Sequence, residues 1–278
     1  MKSLICCIEK QENLYLRDFV EYYKKIGADN IVLYDNNDIN GEYPQQVIGD
    51  YIASGFVIYK DARGKHRFQL DAYSQCYDEY KKDYDWIGFF DIDEYIEIRE
   101  GKKLNEFLSN ERYSESDAIL LYWLIFGDSG YLHYENKPVY ERFLQYQEPS
   151  ETANTFKIFL RGREGAYIQF LDANRFQWTV RYGERPFNVT DTEGNVITGG
   201  REYQSFNYNI AFIKHYNTLS IEEFLYRRFG RRAYADRNSN FNKETVMNIF
   251  YSINEMTDEK KKIIDDFFNK FEFEDDLL

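Results

Sequence analysis

The chain has 278 residues, 43% of them hydrophobic and 19% aromatic, enough for one large domain with a substantial core. Its formal net charge of −13 excludes general affinity for nucleic acid, because a phosphate backbone needs a basic face. No apolar run is long enough for a signal peptide or a membrane span, so a soluble protein of the cytoplasm is expected.

In chain order, "SLICCI" at 3–8 is a short apolar run and reads as a first buried strand. On a strand the adjacent Cys6 and Cys7 face opposite ways. With Cys76 they make an odd set without metal-type spacing, so neither a disulfide framework nor a cysteine metal site is expected. "ENLYLRDFVEYYKKIGADN" at 12–30 places Leu14, Leu16, Phe19, Val20, Tyr23 and Ile26 near helical spacing, with Lys24, Lys25 and Gly27 as a stop signal. "NIVLYD" then forms a second strand ending at Asp35, which makes a strand–helix–strand unit of parallel type. A third strand at 56–60, a helix over "HRFQLDAYSQCYDEYKKDY", a fourth strand "WIGFFDID" and a fifth at 118–126 follow. This alternation predicts an α/β fold with a mainly parallel central sheet, flanking helices and a helical C-terminal part. Residues 130–212 are less regular, with a turn or hairpin at "DTEGNVITGG". Further on, Ser220 and Glu223 form a capping box, and one long amphipathic helix is expected over about 242–271.

In parallel α/β sheets, ligands bind beyond the carboxyl ends of the strands, and Asp35, Asp91, Asp93 and Asp128 all fall there. Residues i and i+2 of a strand share a face, so Asp91 and Asp93 project together. Such a pair suits Mg²⁺ or Mn²⁺, hard cations that share oxygen ligands with substrate phosphates. It is also what a strand reaching water requires, and spacing alone leaves both readings open. A phosphatase of the haloacid dehalogenase type, with Asp91 as nucleophile, uses the same grammar. "RGK" at 63–65 sets two cations, Arg63 and Lys65, before a helix N-terminus, which suits a phosphate or a solvated loop equally. "RRFGRR" contributes Arg227, Arg228, Arg231 and Arg232, a basic island suited to a diphosphate, to peripheral contact with anionic lipid, or to a solvated helix face.

Four segments, "EKQENLYLRDFVEYYKKIGADNIVLYDNND", "WIGFFDIDEYI", "LLYWLIFGDSG" and "IKHYNTLSIEEFLYRR", together resemble the family 92 glycosyltransferases and their bacterial relatives in family 2. The resemblance spans most of the chain and is weakest between about 130 and 205. It implies one glycosyltransferase domain of the GT-A type: a nucleotide-sugar-binding half at 1–128, an acceptor-binding half at 129–240 and a C-terminal helix at 241–278. It further implies a metal-dependent, inverting transfer from a nucleotide sugar, usually a UDP-sugar. The acceptor would be a glycan or lipid-linked molecule in surface polysaccharide synthesis, at the inner face of the membrane. Residue by residue, Glu12 takes the acidic place of the family's Lys-Asn-Glu start, where Gln11 replaces the Asn. Asp35 and Asn36 match the strand-end contact to the base or ribose. Asp91 is directed to the ribose and the metal, Asp93 to the metal itself, and His215 to the metal or diphosphate. Gln177 stands where the family often has a further His. Asp128 is the candidate base for the acceptor hydroxyl, with Glu94 and Asp172 as alternatives. A non-catalytic sugar- or nucleotide-binding protein that kept this fold is the remaining alternative.

Overall fold

A computed structural model describes residues 1–101, 103–148, 155–170, 178–181, 187–197, 207–230 and 243–270. The chain forms two compact units, Met1–Leu124 with Pro149–Lys214, and Ile125–Glu148 with His215–Leu278.

In the first unit the apolar runs become β1 (Ser3–Glu9), β2 (Asn30–Asp35), β3 (Val57–Asp61) and β4 (Trp86–Phe89). They are joined through α1 (Asn13–Ile26), α2 (Gln45–Ala53) and α3 (Gln69–Tyr80). The order β3-β2-β1-β4 is parallel throughout. The next elements are β5 (Glu94–Ile98), α4 (Leu104–Leu108), β6 (Ala118–Ile125), β7 (Phe156–Arg161), β8 (Tyr167–Phe170), β9 (Trp178–Arg181), β10 (Val189–Thr190) and β11 (Ala211–His215). The sheet continues β4-β7-β6-β11-β5, with β10 parallel to β6 and β8-β9 a separate pair. β7 is antiparallel to both β4 and β6, so the parallel expectation holds for four strands and the rest of the sheet is mixed. Thr190 and Val196 pair across the Asp191–Gly194 turn, the hairpin expected in "DTEGNVITGG".

Alternation along β1 sends Leu4 and Cys6 into the core shared with Ala72, Tyr73, Cys76 and Tyr77 of α3. The helix α1 buries Tyr15, Leu16, Phe19, Val20, Tyr22 and Tyr23, while Leu14 stays 41% exposed. The tyrosines compete successfully for burial because their hydroxyls find acceptors. Tyr22 donates to the Ile96 carbonyl at 2.8 Å and Tyr23 to that of Glu94 at 3.0 Å. Gly27 ends the helix with φ of 97°, the left-handed cap that glycine adopts without strain.

"WIGFFDIDEYIEI" is not one strand. Pairing stops at Phe89, the chain turns over 91–94 with the Glu94 amide donating to the Asp91 carbonyl at 3.1 Å, and β5 joins the opposite edge of the sheet. Asp91 and Asp93 therefore share a turn rather than a strand face. The alternation survives as burial, with Ile92 buried between two half-buried acids.

The second unit contains α5 (Val139–Arg142), α6 (Ile221–Leu225), α7 (Lys243–Ile253) and α8 (Asp258–Lys270). The capping box forms as expected, with Ser220 Oγ accepting from the Glu223 amide and the Glu223 carboxylate accepting from the Ser220 amide. The single helix expected over 242–271 is two. Asn254 caps the Phe250 carbonyl at 3.0 Å, Thr257 Oγ1 accepts from the Lys260 amide at 3.3 Å, and Asp258 and Glu259 open a new first turn. Ile221, Phe224, Leu225, Val246, Met247, Phe250 and Ile264 form the core of this unit.

Candidate functional site

Parallel pairing brings the carboxyl ends of β1, β2 and β3 into line, with Glu9 opposite Asp35 and Asp35 opposite Asp61. Three acids in register repel one another unless neighbours intervene. Tyr59 donates to Asp35 Oδ2 at 2.7 Å, Arg63 Nη1 to the same oxygen at 2.8 Å, and Asn37 Nδ2 to Asp35 Oδ1 at 2.8 Å. Burial alone would raise the Asp35 carboxyl, but these hydrogen bonds outweigh it and hold it below its usual range. Glu9 receives less compensation. Asn37 Nδ2 reaches its Oε1 at 2.5 Å and the Glu12 amide its Oε2 at 3.3 Å, while burial and the neighbouring Asp35 push its pKa to about 8.

The raised Glu9 carries a pH signature. An unfolded glutamate ionises near 4.5, so between that value and about 8 the folded chain holds a proton that the unfolded chain has lost. This contribution to stability is lost as pH rises through the window. Glu9→Gln, neutral at every pH, is expected to gain a few degrees in Tm on wild type between about pH 5 and pH 9. Thermal unfolding across that range checks it, and parallel pH profiles for the two proteins would refute it.

Arg63 is committed locally. Besides Asp35, its guanidinium donates to the carbonyls of Asp38, Ile39, Gly41 and Glu42 at 2.7–3.3 Å and lies 4.2 Å over the Tyr43 ring. It thus holds the loop at 36–43 closed, a different task from the phosphate contact its spacing suggested. Asn36 joins the same loop to the next, donating to the carbonyls of Ala62 at 2.9 Å and Lys65 at 2.8 Å. Lys65 is exposed, with Nζ 4.0 Å over the Phe68 ring, and Glu12 is half-buried just before α1.

The acids of the 91–94 turn lie beyond the end of β4, the neighbour of β1 on this parallel edge. Asp91 Oδ1 accepts from Gln69 Nε2 at 2.8 Å and the Tyr73 hydroxyl at 3.1 Å, one helical turn apart on α3. Asp91 Oδ2 meets Lys157 Nζ at 2.7 Å, and the same ammonium lies 3.1 Å from Glu94 Oε2. Ile158 of β7 sits opposite Phe89, so Lys157 falls just where β4 ends. Lys157 and Glu94 side chains are fully buried, whereas that of Asp91 is 29% exposed. Burial would lower the lysine, yet Asp91 and Glu94 hold it above its usual range. Burial raises Glu94 far above the carboxylate range, with Lys157 opposing. Glu94 also accepts from the Asp91 amide at 2.9 Å, which makes it a brace of the turn.

Among the described residues no three His, Cys, Asp or Glu side chains gather closely enough to cage a metal. Asp93, half-buried in the turn, and the partly exposed Asp91 still fit a cation whose remaining ligands are phosphate oxygens, the way Mg²⁺ is commonly held. His215 ends β11, is buried at 7% exposure and belongs to the second unit. In that unit Asp128 lines a cavity of about 460 Å³ with Gln145, Tyr146, Asn254 and Lys260. Its Oδ1 accepts from the Gly130 amide at 2.9 Å and its Oδ2 meets Lys260 Nζ at 2.5 Å. Arg227 and Arg228 are half-buried, and Arg228 donates to Asn217. Asp172, Gln177, Arg231 and Arg232 lie outside the described residues.

Glu9, Asn37, Tyr59, Gln69, Tyr73 and Lys157 are the additions of tertiary structure. A signal exists for Lys157, a lone cation within the apolar "FKIFL". None exists for Gln69 and Tyr73, which look like ordinary helix residues.

Fold and site together define an α/β protein whose acids converge at the carboxyl edge of a parallel block, where this class of sheet binds ligands. The sequence model of glycosyltransferase family 92 matches residues 2–267, and the chain belongs to that family. Family 92 proteins of Ricinus communis and Oryza sativa subsp. japonica are 26% and 24% identical over 131 and 106 residues, 46% and 38% of this chain. The matched stretch is 23% and 18% of those relatives' own length, so the chain spans about a fifth of each. Among solved structures it is similar to S. aureus TarS 1–349 in complex with UDP-GlcNAc. The TM-score is 0.39 at 10% identity, covering 91% of this chain and 71% of that one.

Proposed function

We propose that this chain is a metal-dependent inverting glycosyltransferase that moves a sugar from a nucleotide sugar, a UDP-sugar, to a glycan or lipid-linked acceptor in surface polysaccharide synthesis. The observation that carries the reading is the acid turn at 91–94, anchored beyond β4 beside the Glu9–Asp35–Arg63 cluster, in a chain of family 92. Asp35, Asn36 and Glu12 border the pocket for base and ribose, and the loop that Arg63 holds forms its rim. Asp91 accepts from the ribose, Lys65 meets the diphosphate, and Asp93 holds the cation. A divalent ion there supplies Lewis-acid stabilisation of the charge that grows on the leaving diphosphate.

Inversion needs a base at the acceptor hydroxyl. Asp128 takes that role at the wall of the 460 Å³ cavity, which would receive the acceptor, and its Oδ2 must turn away from Lys260 to do so. Glu94 is the weaker candidate because it is fully buried and braces the turn. The aspartyl-phosphatase reading asks Asp91 to attack phosphorus with a carboxylate already engaged on both oxygens, and family membership favours sugar transfer. No described helix is long and apolar enough to cross a membrane. Peripheral contact at its inner face would use Arg227, Arg228, Arg231 and Arg232.

The test is calorimetry with UDP, UDP-sugars, other nucleotide sugars and inorganic phosphate, each with Mn²⁺, followed by measurement of acceptor-free hydrolysis. UDP and one UDP-sugar are expected to bind at least tenfold more tightly than phosphate, with slow release of UDP from that sugar. Binding no better than phosphate overturns the donor assignment. Binding without any turnover, with or without glycan acceptors, makes the protein a binder instead.

A further inference from the structure

Trp123 stands at the carboxyl edge of the sheet, and the reading above gives it no task. β7 is antiparallel to both β4 and β6, so those two strands point the same way and end on the same edge. Ile158 of β7 pairs with Phe89 on one side and Leu120 on the other, which sets these two level. Trp123 lies three residues past Leu120 towards that edge, and the acid turn begins two residues past Phe89. Alternation sends Leu120, Tyr122 and Ile158 into the core against α3, and Leu121, Trp123 and Lys157 to the other face. Lys157 Nζ is 5.8 Å from the centre of the Trp123 ring and 2.7 Å from Asp91 Oδ2, so a single ammonium separates the indole from the turn. The five residues before Trp123 in β6 are all buried, as is Trp86, whereas Trp123 is half-buried. Its Nε1 is enclosed, its amide donates to the Thr155 carbonyl at 3.3 Å, and its carbonyl accepts from the Tyr208 hydroxyl at 3.2 Å. The surface it offers is therefore ring carbon.

We propose that Trp123 is the platform on which the transferred sugar stacks, and so a determinant of which hexose the protein accepts. The inference rests on the nucleotide-sugar reading above and adds a residue for the part of the donor that the acids do not contact. In a nucleotide sugar the hexose is bonded to the second phosphate. A diphosphate held at the 91–94 turn therefore sets the hexose beside the next feature on that edge, which is the indole. A pyranose has a face of C–H groups with its hydroxyls at the rim, and such a face covers ring carbon without stranding a polar group. A hydroxyl or carboxylate turned onto the ring would lose water and gain no hydrogen bond, so sugars that present one there are disfavoured. UDP alone ends at the phosphates, and its affinity is independent of the ring.

The experiment is calorimetry with Mn²⁺ on wild type, Trp123→Phe and Trp123→Leu, titrating UDP, UDP-glucose, UDP-galactose and UDP-N-acetylglucosamine. The quantity read is the ratio of the affinity for the UDP-sugar that wild type binds best to the affinity for UDP. Trp123→Leu keeps an apolar side chain but loses the aromatic face, and the ratio is expected to fall about 5- to 10-fold. UDP itself should stay within twofold of wild type. Trp123→Phe keeps a smaller face and should lose about two- to threefold in the ratio. A purely structural role would lower Tm and weaken all ligands by one factor, so an unchanged ratio in folded Trp123→Leu overturns the proposal. If that variant does not fold, tryptophan emission decides. The preferred UDP-sugar should change wild-type emission beyond the change caused by UDP, and Trp123→Phe should abolish the difference. A difference that persists in Trp123→Phe overturns the proposal. Wild type that binds UDP but none of the UDP-sugars keeps the nucleotide site and overturns the platform. Wild type that binds neither refutes the donor reading, and the platform with it.

Discussion

Asp93→Asn is expected to reduce Mn²⁺-dependent sugar transfer by about 10²- to 10³-fold, the cost typical of removing one group that stabilises developing charge. The substitution preserves volume and hydrogen-bonding capacity, and it changes a half-buried side chain at a turn, so Tm should move by no more than about 2 °C. The nucleotide itself should lose its dependence on Mn²⁺, with UDP binding equally weakly in the presence and absence of the ion. Asp91→Asn should behave differently. It leaves Lys157, buried at 0% exposure, without its nearest counter-charge, so both stability and donor binding fall. Initial rates over a Mn²⁺ series, with Tm on the same samples, separate the two variants. If Asp93→Asn retains more than a tenth of the wild-type rate at saturating Mn²⁺, the cation is not held there.

The largest effect on stability is expected in the second unit, at Arg142. Its guanidinium is fully buried and bidentate to Glu223, at 2.8 Å to Oε2 and 2.9 Å to Oε1, while Nε donates to the Lys137 carbonyl at 3.0 Å. Glu223 is itself only 2% exposed, and it completes the Ser220 capping box. Arg142→Met leaves that carboxylate buried without its counter-charge, a loss of about 3–5 kcal/mol on the scale of broken buried pairs. Arg142→Met/Glu223→Gln should recover a large part of it, because the amide keeps the cap and carries no charge to desolvate. Urea unfolding followed by circular dichroism gives both differences. A loss below about 1 kcal/mol in the single variant would mean that water or another cation replaces the arginine.

Much of the architecture was legible because it is written in short periods. The apolar runs at the starts of β1, β2 and β4, the Lys24–Lys25–Gly27 stop and the Ser220–Glu223 cap each depend on residues within four positions of one another. The helix face of α1 was read with Leu14 inside, and the structure buries Tyr15 and Tyr22 instead. Hydrophobicity ranks leucine first. For Tyr22 the outcome turned on whether its hydroxyl could find a carbonyl on β5, which no local window contains. The break at 254–257 was likewise invisible as a break. Asn254 spans a helix end and the Asp128 amide, 126 residues away, and only the folded chain brings them within 2.6 Å.

By itself the sequence determined where acids would meet strand ends, because alternation and run length are properties of neighbours along the chain. Pattern and spacing alone treated Asp91 and Asp93 alike, and only the resemblance to family 92 implied unequal roles. The partners that surround Asp91 are a matter of tertiary structure. An antiparallel strand far along the chain delivers Lys157 to Asp91, and α3 delivers Gln69 and Tyr73 to the same acid. The physical reason is the range of the forces involved. Backbone propensity and solvation act over a few residues, whereas the pairing of a buried charge is settled by whatever group the fold carries to within 3 Å.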